Sequence, residues 1–261
     1  MPPKQNFETL QNQFIELVNK SINEQLELFL KSFIFELEDN WKEVVDLSKK
    51  FQKYLDDLGD DATDLNAMQA ADFLQKNGLE RTGLQRKEEV RDIDLDNNDR
   101  IDYIEYLLLH YKVMILRAYE RRTGDNLNLD ISEENPAGIG VTGVGHHLLD
   151  ELFAMPEGLP AELVQAIEEF TQTKNAREGK LKNLEKAAEA GGVKGLAAKN
   201  EIEQMKAEDL TEMNRLELTL NAAKKKAARD TGEEALKKKK QEQEAAEKQK
   251  RDASRSAMAA R

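Results

Sequence analysis

Apolar residues recur at three- and four-residue steps through most of the chain, which is the period of amphipathic α-helices. The first such stripe begins at Phe7 and predicts one or two helices that end near Glu38. A second stripe begins at Trp41 and stops in the acidic run 56–61, and residues 62–120 again have a mostly helical pattern. No segment alternates apolar and polar residues for long enough to indicate a β-sheet. The pattern therefore predicts an all-α fold.

Glycine, proline and asparagine become frequent between residues 123 and 159, and the helical period is lost there. We interpret 123–159 as a Gly/Pro-rich linker that follows a helical N-terminal domain of residues 1–122. The period returns after Pro160, and Gly191-Gly192 divides residues 160–230 into two helices that are expected to form an antiparallel hairpin. Residues 231–261 are almost entirely Lys, Glu, Gln, Ala and Arg, so we expect a charged tail that is either helical or disordered.

Composition places the chain among charged, cytoplasmic helical proteins. Apolar residues make up 39% and charged residues 34% of the sequence, which favours long solvated helices over one large core. There is no cysteine, so disulfides and thiolate metal sites are excluded, as is usual in a reducing compartment. The chain starts without the apolar run of a signal peptide, and no stretch approaches the roughly 18 apolar residues of a membrane span.

Charge is distributed unevenly along the chain. Residues 221–261 contain 13 Lys or Arg and 7 Asp or Glu, a net charge of +6, whereas the first 220 residues contain 26 and 44, a net charge of −18. A basic end on an acidic body indicates an anionic partner. Nucleic acid is disfavoured, because no aromatic residue interleaves with the lysines to stack bases. Acidic polymers such as actin filaments or microtubules remain open.

Residues 94–105, with the sequence DLDNNDRIDYIE, have the ligand spacing of an EF-hand calcium loop. Side-chain oxygens stand at loop positions 1, 3, 5, 9 and 12, and position 8 is apolar, as in loops that pair with a second hand. The predicted ligands include the backbone carbonyl of position 7, and the last residue is expected to supply both carboxylate oxygens. The predicted ligand residues are Asp94, Asp96, Asn98, Arg100, Asp102 and Glu105. An acidic solvated loop between two helices is the alternative.

One loop position departs from the consensus. Position 6 is normally glycine because the backbone there has a positive φ, and here it is Asp99. Aspartate tolerates this conformation better than most residues, at a cost on the order of 1 kcal/mol. We therefore expect calcium affinity to be weakened and not abolished.

EF-hands usually occur in pairs, and the best candidate for the partner lies near residues 56–72. A loop that starts at Asp57 has Asp64 at position 8 and Met68 at position 12, so it lacks the closing carboxylate. This segment is either a degenerate hand that supports the calcium loop or a plain acidic turn.

Two segments resemble the 34 kDa calcium-regulated actin-bundling proteins of amoebae. The first runs from Val90 through the calcium loop into the helix of Tyr106-Leu107-Leu108-Leu109-His110-Tyr111-Lys112. The second is the glycine turn Gly192-Val193-Lys194-Gly195-Leu196, followed by an alanine-rich helix. The resemblance implies actin-filament cross-linking that calcium inhibits, with the filament contacted by the C-terminal helices. The lysines that it implicates in polymer binding are Lys194, Lys199, Lys224, Lys225 and Lys226.

Two other functions compete with actin bundling. The first is a structural role on microtubules, as an axonemal protein of the ciliary doublet wall, and the second is that of a free calcium sensor. An enzyme is not expected, because His110, His146 and His147 stand in no catalytic or metal-ligand motif and the glycines of 138–145 form no phosphate loop. Calcium is the one cofactor that the sequence predicts.

Overall fold

A computed structural model describes residues 6–59, 62–77, 82–131, 135, 138–154 and 159–259, with side chains as far as residue 230 except at 86 and 206–210. The described elements are almost all helices, so the all-α prediction is confirmed. In chain order they are α1 (Phe7–Val18), α2 (Ile22–Phe33), a 3₁₀ helix (Glu38–Asn40), α3 (Trp41–Leu58), β1 (Leu65–Asn66), α4 (Ala67–Lys76), α5 (Gly83–Ile93), β2 (Arg100–Ile101), α6 (Tyr103–His110), α7 (Lys112–Thr123), α8 (Gly145–Ala154), α9 (Ala161–Glu189) and α10 (Gly192–Ala259).

The first apolar stripe forms two helices. Ser21 separates them, because its hydroxyl accepts a hydrogen bond from the backbone of Glu24 while the Glu24 carboxylate accepts one from the backbone of Ser21. Such reciprocal capping satisfies two backbone N–H groups that a helix start leaves unpaired. The chain therefore turns between α1 and α2, and both helices bury their apolar faces in the core.

Helices α3 to α6 form two helix–loop–helix units. Strand β1, between α3 and α4, pairs antiparallel with β2, between α5 and α6. Phe51 of α3 packs against Phe73 of α4 with ring centroids 5.2 Å apart, and the tilted ring of Tyr103 of α6 packs against the same Phe51. The two units thus share one aromatic core.

The segment read as a linker contains a helix that the sequence analysis missed. Helix α8 lies within residues 123–159, and its Leu148, Leu149 and Leu152 are fully buried. It packs against α7, α1 and α2. The prediction of a Gly/Pro-rich linker is therefore wrong for these ten residues, which form a buried helix. The prediction fails because α8 is short and follows several glycines. Its three buried leucines are too few to establish a helical period in the sequence.

Helices α9 and α10 form the predicted hairpin. Gly191 and Gly192 have φ angles of +73° and +68°, a left-handed conformation that glycine adopts without strain, and they make the turn. The hairpin packs on the N-terminal helices, where Trp41 meets Phe170 edge to face at 5.4 Å. One continuous apolar core therefore includes residues of the N-terminal helices and of the hairpin, from Leu10 of α1 to Ala227 of α10.

The predicted charged tail, which begins at residue 231, continues helix α10 to Ala259. The sequence left a helical and a disordered tail as alternatives, and the structure has the helical one for 231–259. Among the described helices, none is both long and apolar enough to cross a bilayer.

Candidate functional site

The predicted calcium loop connects α5 to α6, and its carboxylates converge. Carboxylate oxygens of Asp94, Asp96 and Glu105 all lie within 4.8 Å of one another. Asp94 directly follows the end of α5, and Glu105 lies in the first turn of α6, so the two helix ends bring the first and last loop positions together. Oxygen atoms at this spacing are the ligand type that Ca²⁺ prefers.

The loop backbone is held around the same carboxylates. Asp94 accepts hydrogen bonds from the backbone N–H groups of Asn98 at 2.9 Å and Asp99 at 3.1 Å. The Asn98 side chain accepts one from the backbone of Arg100 at 2.7 Å, and its amide donates to Asp96. These bonds hold the loop backbone around Asp94, Asp96 and Asn98, whereas the Asp102 carboxylate is not among the three that lie within 4.8 Å of one another.

Burial and mutual repulsion disfavour the charged forms of three loop carboxylates, those of Asp96, Asp102 and Glu105. Burial, with the charges of Asp64 and Asp96 nearby, raises the pKa of Asp102 to about 7. Burial likewise raises the pKa of Glu105 well above its ordinary value, and the pKa of Asp96 is raised for the same reason, with Asp94 adding to it. No described Lys or Arg pairs with Asp94, Asp96 or Glu105. A cation bound within the loop would supply the missing positive charge.

Asp99 adopts the backbone conformation that loop position 6 requires. Its φ angle is +57°, in the left-handed region, and its side chain is exposed. The substitution for glycine therefore leaves the loop shape intact.

The partner hand is built on a register one residue later than the sequence analysis assumed. Leu65 pairs with Ile101, so Leu65 and not Asp64 stands at position 8. Position 12 is then Gln69, and its side chain accepts a hydrogen bond from the backbone of Asn66 at 2.8 Å. Glu105 accepts the matching bond from Asp102 at 3.0 Å. A neutral amide thus stands where the predicted calcium loop has its closing carboxylate.

Leu95, at loop position 2, connects the calcium loop to two distant helices. Its backbone N–H donates to Glu105 Oε1 at 3.1 Å, and its carbonyl accepts from Gln11 Nε2 of α1 at 3.1 Å. Its side chain packs against Gly145 at the start of α8, where a Cβ atom would come within 2.6 Å of Leu95 Cδ2. These two contacts leave no signal in the sequence, because Gln11 and Gly145 lie 84 and 50 residues away from Leu95 along the chain.

The glycine-rich segment 138–144 is attached to α5, the helix that leads into the calcium loop. Glu89 accepts a hydrogen bond from the backbone of Gly140 at 3.1 Å, and Asp92 accepts one from Gly143 at 2.6 Å. Lys112 of α7 donates to the carbonyl of Val141 at 2.8 Å and lies 3.5 Å from the Glu89 carboxylate. Both members of this ion pair are buried, so the segment is fixed to α5 and α7 together.

The five lysines implicated in polymer binding fall into two groups. Lys194, Lys199 and Lys225 are exposed. Lys224 instead donates to the carbonyl of Glu38, and Lys226 pairs with Glu162. The structure thus leaves three of the five available to a partner and engages two with the protein's own helices.

Comparison with protein families matches residues 115–257 to the family described as F actin bundling C terminal. The match spans more than half of the chain. The chain belongs to this family. The residues that match the family begin inside α7 and include α8, α9 and nearly all of α10. The calcium loop at 94–105 precedes the matched region, so the family assignment rests on the C-terminal helices.

A solved structure is also similar to this F actin bundling family member. It is the crystal structure of the 34 kDa F-actin bundling protein from Dictyostelium discoideum, with 20% sequence identity over 88% of this chain and 90% of that chain and a TM-score of 0.38. Comparison with curated proteins found no match.

Proposed function

We propose that the protein binds and cross-links actin filaments in the cytoplasmic cytoskeleton, and that calcium bound at residues 94–105 weakens this activity. The observation that carries the proposal is the family match over residues 115–257, which covers the hairpin formed by α9 and α10. The charge distribution supports it, because actin filaments are acidic and the basic residues of the chain are concentrated after residue 220. We expect a structural and not a catalytic role.

The residues of the calcium loop fit a calcium ion. The three carboxylates within 4.8 Å lack a cationic partner among the side chains that the structure describes, and each oxygen of the fully buried Glu105 accepts a backbone N–H group, from Leu95 and from Asp102. Asp94, Asp96, Asn98, Asp102 and Glu105 would hold the ion with side chains and Arg100 with its carbonyl. A bound calcium ion supplies two positive charges that offset the repulsion among these groups.

Leu95 supplies a route from the loop to the rest of the fold. Its N–H group is bonded to Glu105, its carbonyl to α1 and its side chain packs on α8. Any shift of the Glu105 carboxylate therefore changes the position of Leu95, and both helices respond. Helix α8 lies against α7 and α2, and α2 lies against α9 of the hairpin. The loop is thus connected to the C-terminal helices through packed elements.

Co-sedimentation with actin filaments tests this proposal. The full chain is pelleted with filaments at high speed to measure binding and at low speed to measure bundling, with calcium and with chelator. Glu105→Gln keeps the side-chain size but removes the closing carboxylate, and Glu16→Gln on the exposed face of α1 is the matched control. We expect calcium to reduce bundling by the wild type and by Glu16→Gln but not by Glu105→Gln. Calorimetric titration of calcium, without actin, reports ion binding separately.

Each part of the proposal has its own contrary result. Absence of actin pelleting under both conditions rejects the actin function, and pelleting with microtubules alone in a parallel assay would replace it with the microtubule role. Equal bundling with calcium and chelator by a wild type that binds calcium in the titration rejects the regulation but keeps the actin function.

A further inference from the structure

Helix α10 exposes three large apolar side chains on one side. Val193 is 88% exposed, Leu196 is 64% exposed and Leu218 is 70% exposed. With 3.6 residues per turn, the three lie within about 60° of one another around the helix axis. The buried apolar residues of α10 lie on the opposite side; they are Ala198, Leu216, Leu220, Ala223 and Ala227. The exposed apolar side chains therefore contribute nothing to the core of a single chain.

The residues between these apolar side chains, on the same side of α10, are uncharged. We call this set the outer row; among residues whose side chains are described, it consists of Val193, Leu196, Ala197, Asn200, Gln204, Thr211, Asn214 and Leu218, all of them exposed. Arg215 borders the row. At a rise of 1.5 Å per residue, the row is about 37 Å long. Such a row is unusual in a sequence with 34% charged residues, and depletion of charge is typical of the centre of a protein interface.

The charges beside the outer row change sign along the helix. Residues 193–200 contain two Lys and no Asp or Glu, a net charge of +2, whereas residues 201–217 contain six Asp or Glu and two Lys or Arg, a net charge of −4. An acidic polymer would be repelled by the longer, acidic part. A second α10 that runs in the opposite direction would instead place its acidic part against the basic part of the first. Complementary charges beside an apolar seam determine which helix pairs and in which orientation.

We infer that the outer row is a self-association surface, at which α10 of a second copy of this chain packs antiparallel. In this alignment Val193 of each copy meets Leu218 of the other, so both ends of the interface are apolar. A twofold axis relates the two copies, and each contact occurs twice. The inference goes beyond the proposed function, because it requires no actin filament.

The same alignment pairs the charges that border the row. Because residues beside the seam of a coiled coil face each other across it, Lys194 of one copy lies near Glu212 of the second copy, and Lys199 lies near Glu217. Within one copy, Glu217 pairs with Lys42, and the Lys42 side chain is half exposed. Lys194 and Lys199 are both exposed. A parallel alignment would place these two lysines against the same lysines of the second copy.

The size of the outer row predicts a reversible dimer. A contact about 37 Å long between helices about 10–12 Å wide covers about 400 Å² on each copy, or about 800 Å² in total. Stable interfaces bury at least about 1,200 Å². We therefore expect a dissociation constant in the micromolar range, so that a dilute sample is monomeric and a concentrated one is dimeric.

Sedimentation equilibrium of the full chain, in chelator and without actin, tests for the dimer. At concentrations from about 1 to about 200 µM, we expect the mass to rise from 29.7 kDa towards twice that value. Leu196→Glu/Leu218→Glu is the test variant. Met68→Glu/Leu84→Glu makes the same chemical change at side chains that are 82% and 69% exposed elsewhere, and it is the matched control. We expect the dissociation constant of the test variant to be at least about tenfold higher than that of the control.

Disulfide cross-linking tests the antiparallel orientation. The chain has no cysteine, so each introduced cysteine reports one position. After air oxidation with copper phenanthroline, a mixture of Val193→Cys and Leu218→Cys should give the mixed disulfide dimer. Each variant alone should give at least about fivefold less dimer, because the two copies of residue 193 would lie about 37 Å apart and a disulfide requires Cα atoms within about 7 Å. Met68→Cys mixed with Val193→Cys measures random collision.

Several results would overturn the self-association surface. A mass that stays at 29.7 kDa over the whole range rejects it, and so does equal weakening in the glutamate test variant and its control. Stronger cross-linking of Val193→Cys to itself than to Leu218→Cys rejects the antiparallel alignment. Circular dichroism establishes that the variants retain their helices. If the double glutamate variant does not, Lys194→Glu/Lys199→Glu replaces it, and an unchanged dissociation constant in that variant counts against the proposed pairing.

Discussion

The backbone of Ile101 pairs antiparallel with that of Leu65, and this contact joins the calcium loop to the partner hand. Both side chains are buried, at 3% and 1% exposure. The pairing aligns position 8 of the predicted calcium loop with position 8 of the predicted partner hand, which lacks the closing carboxylate.

Ile101→Ala tests the importance of this pairing. The substitution removes buried methyl groups between the two hands, and we expect the free energy of unfolding to fall by about 2–4 kcal/mol. Urea denaturation in chelator measures it. Leu84→Ala is the control, since Leu84 is 69% exposed and its loss should change the free energy by less than about 0.5 kcal/mol. Equal stability of the two variants would show that the contact between the hands contributes little.

Asp99→Ala tests the strain at loop position 6. Alanine is disfavoured at a φ angle of +57°, and we expect the free energy of unfolding to fall by about 1 kcal/mol. Asn tolerates the left-handed conformation as Asp does, so Asp99→Asn should stay near the wild type while losing the same charge. Denaturation of both variants without calcium measures the difference. A decrease of the same size in Asp99→Asn would assign the effect to charge and not to backbone conformation.

Gly145→Ala tests the contact between the calcium loop and α8. The added Cβ would lie 2.6 Å from Leu95 Cδ2 and 2.9 Å from the Asp92 carbonyl oxygen. We expect a loss of about 1–3 kcal/mol in the free energy of unfolding. Gly179→Ala in α9 is the matched control, because no atom lies within 4 Å of its added Cβ. That control should gain about 0.5–1 kcal/mol, since alanine favours a helix interior.

The Gly145→Ala experiment has a clear contrary result. If both glycine variants gain stability by a similar amount, α8 is not tightly packed on the loop, and the proposed route through Leu95 fails. Thermal denaturation monitored by circular dichroism is sufficient to distinguish a loss of stability in Gly145→Ala from a gain in Gly179→Ala.

Lys112→Met tests the buried ion pair that fixes the glycine-rich segment. Removal of the ammonium takes the positive charge of Lys112 away from the buried Glu89 carboxylate, and we expect the free energy of unfolding to fall by about 3–5 kcal/mol. In Lys112→Met/Glu89→Gln the charge is gone while an acceptor for the Gly140 N–H group is kept. The double variant should therefore recover at least about 1 kcal/mol relative to Lys112→Met, as a double-mutant cycle would measure. If the losses of stability in Lys112→Met and Glu89→Gln add up to the loss in the double variant, the two side chains do not interact.

The sequence by itself determined the local elements. Three- and four-residue apolar periodicity defined the helices from Phe7 to Leu58, and two adjacent glycines marked the hairpin turn, since both signals depend on neighbouring residues only. The ligand spacing of residues 94–105 likewise identified the convergent carboxylates, because a 12-residue loop between two helices constrains where its side chains point.

Only the tertiary structure decided which distant residues meet. The register of the partner hand depends on the backbone pairing of Leu65 with Ile101, and the packing of Leu95 on Gly145 depends on α8, whose signal in the sequence is weak. Whether a lysine is free or engaged also depends on the rotation of α10 against the body: Lys224 and Lys225 are adjacent, yet one contacts Glu38 and the other faces solvent. Burial of apolar surface over the whole chain sets these relationships, and local pattern cannot encode it.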